Sequence, residues 1–284
     1  MREIELQAPV GRIAALRNDG RGPRVLALHG WLDNAASFVP MAPYLGALDL
    51  VAVDLPGHGR SAHLPPGADY SFPGAIANVL DVADALGWDR FALLGHSMGA
   101  GIASLVAAAC PARVEKLVAI EALGALADAP GHTVQRMREA VAAERATHGK
   151  RLRVFPDIDA AVHTRVHAGR VPGSGLDAAL VRLLVERGLT AVEGGYAWSS
   201  DRKLTLPSFT RMTEPQVEAL VAGIECPTLA IFADPAQPYL ADDVRRRRAS
   251  LLPRGELMVM PGGHHLHMDQ PQRVGAAAAA FLAG

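Results

Sequence analysis

Cysteine is almost absent: Cys110 and Cys226 are the only two in 284 residues. Two thiols so far apart make neither a disulfide framework nor a metal knuckle. The expectation is two buried free thiols in a reducing compartment. Charge of either sign is not in surplus, since 28 Lys and Arg meet 29 Asp and Glu for a formal net charge of -1. That balance argues against nucleic acid or an anionic membrane as a partner. The one local exception, Arg245, Arg246, Arg247 and Arg248, reads as the solvated face of a helix. No apolar run reaches the roughly 18 residues that a membrane span needs. The first nine residues carry Arg2, Glu3 and Glu5 where a signal peptide would have an apolar core. A cytoplasmic protein, monomeric or homodimeric, is expected. Aromatic residues are only 5% of the chain, so any greasy pocket wall rests on few candidates.

Half the residues are hydrophobic and a fifth are charged, enough to bury a sizeable core. Residues 4–6 and 12–17 look like an opening hairpin. Short continuous apolar runs follow at 25–28, 50–53 and 91–94, of the kind that strands buried on both faces show, and 116–120 reads as the next strand. Helical patterns lie between them, at 34–45, 72–86 and 98–109, with Pro111 ending the last. This alternation implies parallel strands with right-handed crossovers and helices on both faces. The rhythm breaks from 121 to 225, resumes with strands at 228–232 and 257–260, and closes in a helix after Pro271. The fold class is therefore α/β, with 1–121 and 226–284 as the core domain and 122–225 as a helical cap inserted over the sheet.

The chemistry concentrates at Gly95-His96-Ser97-Met98-Gly99, between a buried strand and a helix. Glycines at both ends of G-x-S-x-G permit a tight, strained turn that lifts the serine above the carboxyl edge of the sheet. The next helix aims its free N-terminal amides at the same place. A serine hydroxyl needs a base to become a nucleophile, and the base should follow the last strand. Of His264, His265 and His267, His264 comes directly after Gly262-Gly263, where the loop can bend back toward Ser97. The other two read as loop packing. No carboxylate lies at ligand spacing within that cluster, so neither metal nor cofactor is expected.

The order His29-Gly30, Asp54-x-Pro56-Gly57-His58-Gly59-x-Ser61, Gly95-x-Ser97-x-Gly99 and Gly263-His264 resembles the α/β-hydrolase superfamily over nearly the whole chain outside the insertion. His29-Gly30-Trp31-Leu32-Asp33-Asn34 and the His264-His265-x-His267-Met268 end look like its serine hydrolase-like, kraken-type branch. The resemblance implies an oxyanion hole made by the backbone N–H groups of Trp31 and Met98. The usual acid position, after the strand that follows the insertion, is Ala236 here. Asp234 lies nearby but precedes a proline and reads as a turn residue. Glu121, at the strand end before the insertion, occupies the place where some haloalkane dehalogenases carry their acid. It is the preferred third member, with Asp234 the alternative. A serine nucleophile with an oxyanion hole suits acyl transfer, so the expected activity is hydrolysis of a small or medium, largely apolar carboxylic ester. The same residues acting on a carbon–carbon, amide or thioester bond, or a non-enzymatic small-ligand receptor, are the alternatives. Trp31, Trp198 and Tyr196 are the candidate substrate contacts.

Overall fold

The apolar run at 25–28 is β3 of an eight-stranded sheet in the computed structural model, which describes residues 1–147, 153–168 and 175–284. In chain order, β1 is Arg2–Ala8, β2 Gly11–Arg17, β3 Arg24–Leu28 and β4 Asp49–Val53. Helix α1, Phe72–Ala85, leads to β5, Phe91–His96; α2, Met98–Ala109, leads to β6, Val114–Ile120. The inserted stretch carries α3 (Thr133–Thr147), α4 (Ile158–Ala168), α5 (Ala178–Gly188), β7 (Leu189–Val192), β8 (Gly195–Trp198) and α6 (Glu214–Ala222). The remainder is β9 (Thr228–Asp234), α7 (Asp242–Ser250), β10 (Gly255–Pro261), the short α8 (Leu266–Asp269) and α9 (Pro271–Ala283).

The strand order is β1-β2-β4-β3-β5-β6-β9-β10. The pairs β1–β2 and β2–β4 are antiparallel and the rest are parallel. Successive side chains of a strand face opposite ways, and the core divides accordingly. Leu26, Leu28, Leu93, Leu117 and Phe232 pack against Val79 of α1, Ile102 of α2 and Val217 of α6. Val25, Ala27, Leu94, Val118 and Ile231 pack against Phe38, Met41 and, from α9, Val274 and Ala278. The chain turns back across the sheet between β3 and β5, and open α/β sheets build ligand sites beyond the carboxyl ends of strands at such a switch point. His29, Asp54, Ser97 and Glu121 each immediately follow one of these strands.

Several local expectations need correction. The helix expected over 34–45 is two 3-10 turns, Ala35–Phe38 and Ala42–Tyr44. Pro40 and Pro43 deny a continuous helix its backbone donors. The insertion is not all helical: β7 and β8 pair antiparallel with Val192 opposite Gly195, so Glu193-Gly194 is a two-residue turn. Gly194 takes φ +84°, which a glycine adopts without steric cost. The insertion has its own core of Phe155, Ala161, Val162, Val181 and Val185, whereas α6 joins the main core through Val217 and Val221. Cys226 is buried but Cys110 is only half-buried; both are free. Among the described residues, no helix is long and apolar enough to cross a membrane.

The arginine run is also not a uniformly solvated face. It lies on α7, where Arg245 and Arg248, three residues apart, both turn inward and are 2% exposed. Arg248 forks onto the Glu214 carboxylate, with Nε and Nη2 at 2.8 and 2.7 Å from its two oxygens, and Nη1 donates to the Leu123 and Ala125 carbonyls. Only Arg246 and Arg247 point outward, against Asp242 and Glu218. Arg248 is buried whereas Glu214 is 27% exposed, so removing the arginine chiefly leaves the buried Leu123 and Ala125 carbonyls without their donor, at a cost of about 1–3 kcal/mol. Arg248→Ala should therefore lower the urea midpoint markedly, while Arg246→Ala should leave it nearly unchanged; equal midpoints for the two variants would refute the assignment.

Candidate active site

Ser97 sits in a turn that only this glycine pattern allows. Its backbone is at φ 51°, ψ -117°, a strained conformation for a side-chain-bearing residue. A Cβ on Gly95 would fall 2.4 Å from the Ala100 Cα, and one on Gly99 would fall 2.0 Å from the Leu28 carbonyl oxygen. The glycines thus let α2 leave β5 at once and pass close to β3. The Ser97 amide donates to the Ile120 carbonyl at 2.8 Å, tying the turn to the end of β6.

His264 follows β10 and reaches back over the sheet. Its Nε2 lies 3.0 Å from Ser97 Oγ and its Nδ1 lies 3.1 Å from Glu121 Oε2. With the Nδ1 proton donated to the carboxylate, Nε2 is left to accept from the serine hydroxyl. Glu121, 2% exposed, is held at φ 61° with its amide bonded to the Ile231 carbonyl. Its Oε1 accepts from the Ala233 amide at 2.5 Å. Asp234 does not join this chain: it is exposed at the end of β9, and among the described residues its carboxylate has no hydrogen bond or ion pair to His264. Strand order explains the difference. β6 lies beside β5, one strand nearer Ser97 than β9 does.

Two neighbours of His264 had no signal in the sequence. His96, the first x of the G-x-S-x-G turn, is fully buried and donates from Nε2 to the His264 carbonyl at 2.8 Å. Tyr239, in the loop after β9, places its hydroxyl 2.9 Å from His264 Nδ1 and 3.4 Å from Nε2. Desolvation raises the Tyr239 phenol above its ordinary range, so it keeps its proton.

The other expected residues occupy different places. Met98 opens α2, where first-turn amides lack intrahelical partners, and among the described residues the Trp31 amide is likewise not taken up by a backbone carbonyl. The Trp31 ring is 54% exposed, and its indole nitrogen donates to the Leu204 carbonyl at 2.7 Å; it ties the insertion to the core. Trp198 is turned edge-on to Phe155, 5.4 Å between centroids, within the insertion's own core. Tyr196 is bridged by its backbone to Phe155. Neither has a hydrogen bond or ring contact with Ser97 or His264 among the described residues. Trp198 thus packs against Phe155 within the inserted stretch, and Tyr196 is held there through its backbone.

The Asp54-x-Pro56-Gly57-His58-Gly59-x-Ser61 motif braces the site. Asp54 Oδ1 accepts from the Ala35 amide and from Arg187 Nε on α5, and Oδ2 accepts from the Arg60 amide. Burial drives the nearby histidines neutral. His29 falls to about 4, and His58 and His267 each to about 3, desolvation being the largest cause in all three. The unfolded chain, with ordinary histidines near 6.5, binds these protons more readily than the folded one. Folding stability from these groups is therefore complete above about pH 6.5 and is lost as pH falls, toward 4 for His29 and toward 3 for His58 and His267, by about 1.4 kcal/mol per group and pH unit. Melting temperatures at pH 7.5, 6 and 5 should fall progressively; a flat profile would show that the three rings are not held neutral.

A profile of the alpha/beta hydrolase fold matches residues 23–154. A serine hydrolase-like protein of Mus musculus is 30% identical over 306 residues, covering 99% of this chain and 96% of that protein. An esterase of Mycobacterium tuberculosis is 31% identical, covering 95% of this chain and 86% of that protein. A crystal structure of a hypothetical protein from Pseudomonas aeruginosa PAO1 superposes with a TM-score of 0.91 at 38% identity, covering 100% of each chain.

Proposed function

This chain belongs to the α/β-hydrolase family, in its serine hydrolase-like branch, and from that premise we propose that it hydrolyses small or medium, largely apolar carboxylic esters through an acyl-enzyme on Ser97. The observation that carries this reading is the continuous hydrogen-bonded chain from Ser97 Oγ through His264 to Glu121, at 3.0 and 3.1 Å. The esterase of M. tuberculosis among the relatives supports the choice of an ester bond.

His264 Nε2 takes the Ser97 proton as Oγ attacks the substrate carbonyl carbon. The negative charge moves to the carbonyl oxygen, where the Trp31 and Met98 amides donate to it. Each such donor lowers the barrier by about 3 kcal/mol. Collapse expels the alkoxide, which takes the proton from His264. A water molecule then gives its proton to Nε2 and attacks the acyl carbon, and the carboxylic acid leaves as Ser97 regains its hydrogen. Glu121 holds the imidazole in the tautomer that frees Nε2 and offsets the imidazolium charge. The insertion acts as a cap over this edge of the sheet, tied down by Arg165 to Leu32 and Asp33 and by Asn34 to Leu184. The substrate is a small molecule met in the cytoplasm.

A panel of p-nitrophenyl esters from acetate to decanoate, run beside the matching anilides and thioesters, tests the bond and the acyl size. Turnover should be highest on the shorter esters. Turnover of anilides or thioesters without esters would replace the ester assignment, and absence of turnover on all three would favour a receptor.

A further inference from the structure

His96 poses a problem that the hydrolytic residues do not solve. Its Nε2 donates to the His264 carbonyl at 2.8 Å, so its Nδ1 carries a lone pair. That Nδ1 is buried and, among the described residues, finds no hydrogen-bond partner. It faces Asp33 Oδ2 at 3.9 Å, which sets two electron-rich atoms against each other in a dry place. A buried acceptor without a donor costs free energy unless something positive lies between.

The same Asp33 oxygen is 3.3 Å from His265 Nε2. One ligand atom from each of His96, Asp33 and His265 lies within 4.8 Å of the other two. Tetrahedral Zn²⁺ with bonds of about 2.0–2.1 Å spaces its ligand atoms roughly 3.3–3.5 Å apart. The two carboxylate–imidazole separations, 3.9 and 3.3 Å, are close to that spacing, and the two imidazoles must draw together from at most 4.8 Å. Asp33 brings to the histidine cluster the carboxylate that its own sequence neighbourhood lacks.

We infer that His96 Nδ1, Asp33 Oδ2 and His265 Nε2 form a binding site for one divalent transition-metal ion of the Zn²⁺ type. Two imidazoles and one carboxylate suit such borderline ions, whereas Mg²⁺ and Ca²⁺ prefer oxygen alone. Binding replaces the His265–Asp33 hydrogen bond and leaves a fourth position for water. Arg165 competes for the same carboxylate, but through Oδ1, with its other nitrogen on the Leu32 carbonyl. The ion would sit one residue from His264 and directly behind the carbonyl that His96 holds.

A second place could capture a metal: His163 and His167, one turn apart on α4, have ring centroids 4.0 Å apart and are exposed. Titration calorimetry of the full chain with Zn²⁺, and visible absorption with Co²⁺, separates the two. Saturable binding of one equivalent is expected, with four-coordinate Co²⁺ bands. His265→Gln and Asp33→Asn should each weaken it by at least about 100-fold. His163→Ala/His167→Ala should leave it unchanged, and Arg165→Met should tighten it. His265 is partly exposed, so His265→Gln serves if the Asp33 variant does not fold. No saturable binding up to about 1 mM, binding that survives His265→Gln, or binding lost with the α4 pair would each overturn the assignment. These readouts do not depend on ester hydrolysis.

Discussion

Replacing Ser97 by alanine is expected to lower kcat/KM for ester hydrolysis by at least about 10⁴-fold, since nucleophile and base act as a unit. The fold should survive. Among the described residues the Ser97 side chain has one hydrogen bond, to His264 Nε2, and the turn is held by its backbone amide on Ile120 and by the glycines at 95 and 99. Alanine keeps a Cβ and the same backbone conformation, so the strain at φ 51° is unchanged. The residual rate would come from binding and from the oxyanion amides at Trp31 and Met98. Steady-state kinetics with melting temperatures on the same samples check both halves. Loss of less than about tenfold would mean that Ser97 does not attack.

Glu121→Gln should lower kcat by about 10³–10⁴-fold, and the structure dictates why so conservative a change is severe. The Ala233 amide already presents a donor to one side-chain oxygen of residue 121. A glutamine must turn its own oxygen there, which aims its NH₂ at His264 Nδ1. Nδ1 then has to accept, its proton moves to Nε2, and Nε2 can no longer take the Ser97 proton. Tyr239 supplies a partial rescue, because its hydroxyl, 2.9 Å away, can accept from Nδ1. The double variant Glu121→Gln/Tyr239→Phe should therefore be slower than the single one. Asp234→Asn, outside the chain of hydrogen bonds, should stay within about twofold of the parent. A larger loss from Asp234→Asn than from Glu121→Gln would reverse the choice of acid.

The parallel strands and the Ser97 turn were readable because each depends on local composition. A fully buried strand must be apolar throughout, and the turn requires glycine where a Cβ would strike backbone. His264 was readable for a related reason, since the loop after β10 has two glycines to bend back with. The acid could only be narrowed to two residues, because reach to His264 depends on strand order, which the sequence does not print. The place of Trp198 is hidden at the same level: it is apolar enough for a pocket or a core, and its packing partner Phe155 lies more than forty residues away in sequence. Arg248 was misread because inward and outward faces of a four-residue arginine run are indistinguishable until Glu214 is seen opposite. Likewise His96 ends β5 while Asp33 and His265 come from two separate loops, and nothing short of the fold brings them together.

Attack by Ser97 is tested most directly by labelling the full chain with a fluorophosphonate and locating the adduct by peptide mass. One adduct per chain on the peptide holding residues 95–99, lost in Ser97→Ala and slowed in Glu121→Gln, is the expected result. No adduct, or one carried on any other serine, would contradict an activated nucleophile at Ser97.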